Sequence, residues 1–236
     1  MLNAMKVHHF DSKIRLGEKA DGGYVIADLS GSYDAYFSCG VSDEESFSRD
    51  FISKYHTNRW NNFAFDGTIQ EYPHRYTTEI NFIQKNIASN ETDRTTDLRS
   101  FADKYTNIFL KMDIEGGEYP WILSTDESVL RKFKQIVIEF HGINDNSWGC
   151  PFDYKTICLE KLATTHYLVH AHGNNHSGIV NGIPDVIELT YVNKRYFTTA
   201  PELNRSRLPV PELDYPNRGD APDYPLMTYP FMASVV

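Results

Sequence analysis

The stretch from Ile108 to Tyr119, Ile-Phe-Leu-Lys-Met-Asp-Ile-Glu-Gly-Gly-Glu-Tyr, limits the folds open to this chain more than any other. Its first half is a short run of branched and aromatic residues, bounded by Asn107 before it and by acids and glycines after it. That is the pattern of a buried strand. Asp113, Glu115 and Glu118 crowd the point where the strand must end, and Gly116-Gly117 lets the backbone turn there. In an open α/β sheet, ligands bind in the crevice beyond the carboxyl ends of the strands. One acid here would be an ordinary helix-start residue, as Glu118 can be for the next helix. Three acids around a double glycine point to a site.

Other strand ends repeat the theme. Tyr33 to Gly40 reads as a strand and its turn, followed by Val-Ser-Asp43-Glu44-Glu45. Ser42 or Asp43 would cap a helix whose apolar stripe is Phe47, Phe51 and Tyr55. Strand, glycine turn and helix form the first unit of a nucleotide-binding sheet. The turn has one glycine rather than G-x-G-x-x-G, so the motif alone is weak. Its charge says more: three consecutive acids would repel the pyrophosphate that a dinucleotide sets on such a helix start. They suit S-adenosylmethionine, which has no phosphate and carries a sulfonium and an ammonium.

Asn62 to Asp66 is a second strand ending in an acid, 26 residues after Gly40, where an acid commonly accepts hydrogen bonds from a ribose. A plain Asp-Gly turn is the alternative. Residues 79–88 suggest a third strand, 97–105 a short helix, and a further helix runs on from Ser128. Gln135 to His141 is another buried strand, with Glu139 and His141 on one face because residues two apart share a side. A turn-rich loop over 144–154 would lie above the cleft, and a helix near 155–165 follows. The strand after it ends in His172 and Asn174, and Asp185 to Asn193 is the last strand. Before all of these, Asp21-Gly22-Gly23-Tyr24 reads as the turn of a hairpin over 10–30, with glycines that permit close backbone approach to a ligand. His8, His9, His74 and His176 are read as surface residues.

With 41% hydrophobic and 23% charged residues the 236-residue chain is globular, and its size suits one α/β domain over 1–200. Seven of its 11 prolines fall in the last 36 residues, so 201–236 is expected as an extended tail. That tail would wrap the surface or a second copy of the chain, leaving a homo-oligomer open. A net charge of -9 argues against a nucleic-acid partner and an anionic membrane surface. The chain lacks an eighteen-residue apolar run and a signal-like N-terminus, and its three cysteines have no metal spacing. A cytoplasmic protein with reduced thiols is expected.

Several stretches together resemble the FkbM-like S-adenosylmethionine-dependent methyltransferases. They are Asp21-Gly-Gly-Tyr-Val, Phe37-Ser-Cys-Gly40-Val, Lys111-Met-Asp-Ile-Glu-Gly-Gly-Glu118, Val137-Ile-Glu-Phe-His141, His170-Ala-His172-Gly-Asn-Asn175 and Ile183-Pro-Asp-Val-Ile-Glu-Leu-Thr-Tyr191, in the expected order over about residues 15–195. The resemblance implies a class I methyltransferase fold, a Rossmann-like three-layer α/β sandwich on a seven-stranded, mostly parallel sheet with an antiparallel edge strand. It also implies methyl transfer to a hydroxyl of a small molecule, often a sugar or polyketide. S-adenosylmethionine is then expected against Asp21, Gly22, Gly23, Tyr24, Gly40, Asp43, Asp66 and Asp113, and the acceptor against Glu115, His172 and Asn174. One departure stands out: the first turn, Gly40-Val-Ser-Asp-Glu-Glu, has fewer glycines than many methyltransferases, so the Asp21–Tyr24 loop is the candidate to replace them.

A sugar hydroxyl is a weak nucleophile, so a base must take its proton during transfer. His141 is the first candidate, oriented by a carboxylate, with Asp113 and Glu139 beside it. The alternative is a divalent metal, Mg or Mn, on Asp113, Glu139 and one histidine, His172, which would acidify the hydroxyl. Two other readings compete. A nicotinamide-dependent oxidoreductase requires G-x-G-x-x-G and a Tyr-x-x-x-Lys or Cys/His site, which the chain lacks. A non-catalytic binding scaffold predicts loss of the polar strand ends, which the chain keeps.

Overall fold

The computed structural model describes residues 1–73, 75, 76 and 79–233, so His74 and the last three residues of the tail lie outside the described residues. In chain order the elements begin with Lys13–Leu16 (β1), Tyr24–Ala27 (β2), Ala35–Cys39 (β3), Ser46–Tyr55 (α1), Asn62–Phe65 (β4) and Asn81–Ile83 (β5). Next come the small pair Asn86–Ile87 (β6) and Thr95–Thr96 (β7), then Arg99–Ala102 (α2), Ile108–Met112 (β8), Glu118–Ser124 (α3) and Glu127–Leu130 (α4). Phe133–Phe140 (β9), Phe152–Thr165 (α5), His166–Gly173 (β10), Ile179–Val180 (β11), Ile183–Pro184 (β12) and Ile187–Asn193 (β13) complete the set.

Seven strands form one sheet in the order β10-β13-β9-β8-β3-β4-β5. Strands β9, β8, β3, β4 and β5 pair in parallel, while β13 runs antiparallel to both of its neighbours. The reversed strand thus sits one place in from the edge, not at it. The connection from β10 to β13 is short and holds the β11–β12 hairpin, and a short return makes antiparallel neighbours. β1 and β2 form the expected hairpin, closed by a loop over 17–23.

Strand order reverses around β3: the chain steps outward to β4 and later returns to place β8 on the other side. This is the switch point at which open sheets bind ligands. Gly40 leaves β3 with φ of +82°, and a β-carbon on it would sit 1.6 Å from the carbonyl oxygen of Asp113. Only glycine lets the two strand ends meet there.

Both faces of the sheet are covered. Ile108, Leu110 and Met112 of β8 join the core beneath α3 and α5, with Tyr119, Trp121, Leu159 and Leu162. Phe109, pointing the other way, packs under α1 with Phe47, Phe51 and Tyr36. The helical stripe read from the sequence lands there: Phe51 stacks on Tyr36 at 4.6 Å between ring centroids and lies 4.3 Å from Phe109.

Several boundaries differ from expectation, among them the helix expected over 97–105, which spans only Arg99–Ala102, and two have a local cause. Helix α1 starts at Ser46 rather than at 42–43, because Asp66 Oδ2 accepts the amides of Val41 and Ser42, both at 3.0 Å. Ser42 is thereby held at φ +47°, a turn conformation. The third strand stops at Ile83, where the Lys85 amide turns back onto the Ile83 carbonyl at 2.8 Å, a γ-turn-like closure that ends pairing.

The proline-rich tail has no regular strand or helix beyond Tyr196 among the described residues, yet it is not loose. Leu208, Leu226 and Phe231 are buried, and the Asp214, Asn217 and Asp223 side chains reach inward. Asp214 Oδ1 meets His170 Nε2 at 2.9 Å. Asp223 Oδ2 meets His172 Nε2 at 2.9 Å, while Glu188 Oε2 takes the other ring nitrogen at 3.1 Å.

With a carboxylate on each nitrogen, His172 carries both protons; burial opposes this, but Glu188 and Asp223 prevail and lift its pKa to about 11. An elevated folded-state pKa stabilises the fold fully below the unfolded value of about 6.5. That contribution disappears as the pH climbs through 11. Denaturant titrations should therefore show the wild type losing stability from neutral to alkaline pH more steeply than His172→Gln. At pH 6 the substitution should cost about 3–5 kcal/mol, the usual consequence of leaving a buried partner alone.

Candidate active site

Two adjoining cavities open at the carboxyl ends of the strands. The larger, about 550 Å³, lies over β3, β4 and β8 and is lined by Asp21, Gly22, the Gly40–Glu44 turn, Phe65, Asp66, Thr68, Asn86, Ile87 and Lys111 to Glu115, without Met112. The smaller, about 310 Å³, lies over β9 and β10, against Glu139, His141, Trp148, Asn174, His176 and Ser177. Asp21, Asp113 and Glu115 belong to both walls and mark the junction.

His141 lines the smaller cavity beside the junction residues Asp113 and Glu115, with 5% of its surface exposed. Its Nδ1 lies 3.3 Å from Glu118 Oε1, an oxygen that also accepts the Ile114 amide at 3.1 Å. Since Oε1 is an acceptor, Nδ1 carries the proton and Nε2 faces the acids. From Nε2 the distances are 3.4 Å to Glu115 Oε2, 3.7 Å to Glu139 Oε1 and 3.8 Å to Asp113 Oδ1. The Tyr119 hydroxyl donates to the His141 carbonyl at 2.8 Å and fixes its backbone. Burial works to lower the imidazole pKa, but Glu118, Asp113 and Glu115 outweigh it, so the pKa is raised.

The acids are held by donors that the fold brings in. The buried Tyr24 hydroxyl donates to Asp113 Oδ2 at 3.0 Å and reaches Glu139 Oε2 at 3.4 Å. Asn174 donates to Glu139 Oε1 at 2.9 Å. Burial first, and then the charges of Asp113, Glu188 and Asp21, raise the Glu139 pKa well above the carboxylate range. Glu118 is likewise raised by burial. Glu115 sits at φ +54°, a conformation that costs a non-glycine residue energy and is found at functional positions.

Several expected residues occupy other places. His172 does not join Asp113 and Glu139, because both of its nitrogens are engaged by Glu188 and Asp223. The histidine that does join them is His141, whose ligand atom lies with theirs within 4.8 Å. His172 is also too buried to meet an acceptor, and its surroundings are the tail rather than either cavity.

Gly23 and Tyr24 stand behind the wall. Gly23 packs against the Glu18 carbonyl and Arg15, and Tyr24 supports the acids, leaving Asp21 and Gly22 at the cavity. The acidic run divides: Asp43 and Glu44 line the cavity, whereas Glu45 turns inward to accept Ser38, Ser48 and Tyr72 hydroxyls. Asp66 lines the cavity while accepting the Val41, Ser42 and Thr68 amides and the Thr68 hydroxyl. Burial opposes its charge, but those donors hold its pKa below the usual value.

Trp148 was not foreseen as a site residue. The only signal available was its place in the turn-rich loop after His141. The sequence counts Glu118 among the three acids of the strand end but gives it no partner, and its role behind the histidine depends on α3 packing under β9.

The larger cavity pairs carboxylates with the apolar side chains Val41, Phe65, Ile87 and Ile114, and Lys111 is its one lysine or arginine. Lys111 also donates to the Gly40 carbonyl at 2.7 Å. A pyrophosphate would meet almost uniform repulsion there, whereas a flat adenine and a cationic sulfonium and ammonium suit the lining. Sheet order and switch-point cavity are those of the class I methyltransferase fold. Residues 21–175 match the Methyltransferase FkbM domain, and the chain belongs to the FkbM methyltransferase family, for which S-adenosylmethionine is the implied cofactor. No curated protein and no solved structure matches the chain. No helix among the described residues is long and apolar enough to cross a membrane.

The Glu118–His141 pair can be tested without any reaction. Titrating the ring-proton resonances should place the His141 midpoint above 6.5. Glu118→Gln should lower it by about one to three pH units, the range for losing an adjacent opposite charge. An unchanged midpoint would mean that Glu118 does not act on the ring.

Proposed function

We propose that this methyltransferase transfers a methyl group to a hydroxyl of a small polyhydroxylated acceptor, most simply a sugar, with His141 as the base. The observation that carries the reading is His141 in the smaller cavity with Nε2 beside Asp113 and Glu115, which line both cavities, and with Glu118 fixing the proton on Nδ1. When bound, S-adenosylmethionine would supply a methyl group on positively charged sulfur, the S–C bond being the one that would break as the acceptor oxygen takes the methyl. Asp21, Gly22, Gly40, Asp43, Asp66 and Asp113 are assigned to hold it in the larger cavity. Asn174 and Glu115 are assigned to the acceptor in the smaller one.

His141 Nε2 takes the hydroxyl proton as the new C–O bond forms. The resulting imidazolium is stabilised by Glu118 on one side and by Asp113 and Glu115 on the other. A positioned base of this kind contributes about 10²- to 10⁴-fold. Because the His141 pKa is raised, a neutral base accumulates only above pH 6.5, and the acid limb of the rate profile should lie there.

A second reading is favoured by the spacing of Asp113, Glu139 and His141, each offering one ligand atom within 4.8 Å of the others. Two oxygens and an imidazole, with Glu118 behind the ring, form a donor set for Mg²⁺ or Mn²⁺. A cation held there would supply Lewis acidity toward an acceptor oxygen.

The first test is thermal melting with S-adenosylhomocysteine beside a nicotinamide dinucleotide panel. At 100 times its dissociation constant, the former should add about 2.7 kcal/mol and raise the melting point by roughly 5–10 °C, and the dinucleotides should do nothing. His141→Ala should keep that shift while losing about 10²-fold or more in methyl transfer to a sugar acceptor. Turnover that survives chelation would favour the base alone; loss restored by Mg²⁺ or Mn²⁺ would favour the metal.

A further inference from the structure

The smaller cavity has one wall that the proposed chemistry does not use. Trp148 leaves 46% of its surface open although it borders the cavity floor at His141, with 5.2 Å between the two rings. Its position is built. A β-carbon on Gly116 would lie 2.7 Å from the Trp148 β-carbon, and one on Gly142 would lie 2.3 Å from the indole Cδ1. Those two glycines, one after β8 and one after β9, form the seat in which the side chain rests.

The loop bearing Trp148 is fastened as well. Lys155, itself buried, donates to the Gly142 and Ser147 carbonyls; Asp145 caps the Ser147 amide at 2.7 Å, and Asn144 reaches the Ile183 carbonyl at 2.8 Å. Trp148 holds φ +57° within this frame. By contrast Trp60, the other exposed tryptophan, has the Arg59 guanidinium over its ring at 4.7 Å. No lysine or arginine among the described residues stacks on Trp148.

Facing this indole are Asp21, Asp113, Glu115, Glu139, Asn174, His176 and Ser177, with no lysine or arginine in the lining. A fixed aromatic plate opposite hydrogen-bonding groups suits a ligand with one apolar face and a polar edge. Three carboxylates, Asp21, Asp113 and Glu115, beside the Glu139 carboxyl make the sign of the ligand's charge decisive, since an anion would have to be desolvated against them. We infer that Trp148 is the stacking platform for the acceptor ring, and that this ring is a sugar that is neutral or bears an amine rather than a phosphate or carboxylate. The inference rests on the proposed methyl transfer and names its acceptor class. The amine gains twice, from the carboxylates and from the indole face.

The test uses the full chain with saturating S-adenosylhomocysteine and saturation-transfer NMR on four probes: methyl β-glucoside, glucosamine, glucuronic acid and glucose 6-phosphate. The first two should bind, with transfer concentrated on the C–H protons of one ring face. The two anionic sugars should bind at least tenfold more weakly. Trp148→Ala should weaken the binding of the first two about tenfold, equivalent to about 1.4 kcal/mol, while Trp148→Phe retains most of it. The melting shift with S-adenosylhomocysteine, measured on the same samples, should be unchanged in both variants.

An intact melting shift with no sugar binding, or with Trp148→Ala binding as well as the wild type, would overturn the platform alone. Anionic sugars binding as tightly as neutral ones would overturn the charge assignment. A missing melting shift in the wild type would instead remove the proposed function on which the inference stands.

Discussion

Asp113 and Glu139 share one donor, the hydroxyl of Tyr24, and the site depends on that shared bond. Two carboxylates on adjacent strand ends repel each other, and at low dielectric the repulsion is expensive. Tyr24 is delivered by a hairpin outside the main sheet, and its ring is wholly buried beneath the strand ends. From there it neutralises part of the repulsion without occupying either cavity. Asn174 does the same for the other oxygen of Glu139 from the far side. The carboxylates can then remain close enough to act together on a cation, a proton or a hydroxyl.

His141 depends on the same economy of space. It is the one described imidazole among these acids, and its proton is directed by Glu118, whose second oxygen is buried with no hydrogen-bond partner among the described residues. A buried carboxylate of that kind is costly unless the group it orients repays the cost elsewhere. Here the return is a ring locked in one tautomer and aimed at the cavity junction. The positive φ angles of Ser42, Glu115 and Trp148, all on cavity walls, place local strain at the same end of the sheet.

The C-terminal tail extends this support outward. Asn217 donates to Asp21 at 3.2 Å and to Glu188 at 2.8 Å, so a residue of the proline-rich segment touches the wall common to both cavities. Through Asp214 and Asp223 the tail also hydrogen-bonds two histidines of the edge strand. Prolines keep such a segment extended and lower the entropy lost when it docks, which is how a chain without secondary structure can still be well placed.

Much of this was legible in the residues themselves. Apolar runs ending in acids located the parallel strands, the Phe47–Phe51–Tyr55 stripe located α1, and the charge of the first turn argued against a dinucleotide, because each of these is a local property of spacing or sign. Glu139 and His141 could be placed on one face for the same reason. What local pattern could not carry was partnership. Whether His141 or His172 stands beside Asp113 depends on β13 being slotted between β10 and β9, which sets Glu188 between His172 and Glu139 and gives His172 to Glu188 and the tail. Glu118 is one acid of the strand end, with no partner, until α3 docks beneath β9, and Tyr24 and Trp148 are a hairpin residue and a loop residue until the sheet brings them against the acids. The strand ends were determined by the sequence alone; which side chains meet there was decided by strand order and by a tail that crosses from the far end of the chain.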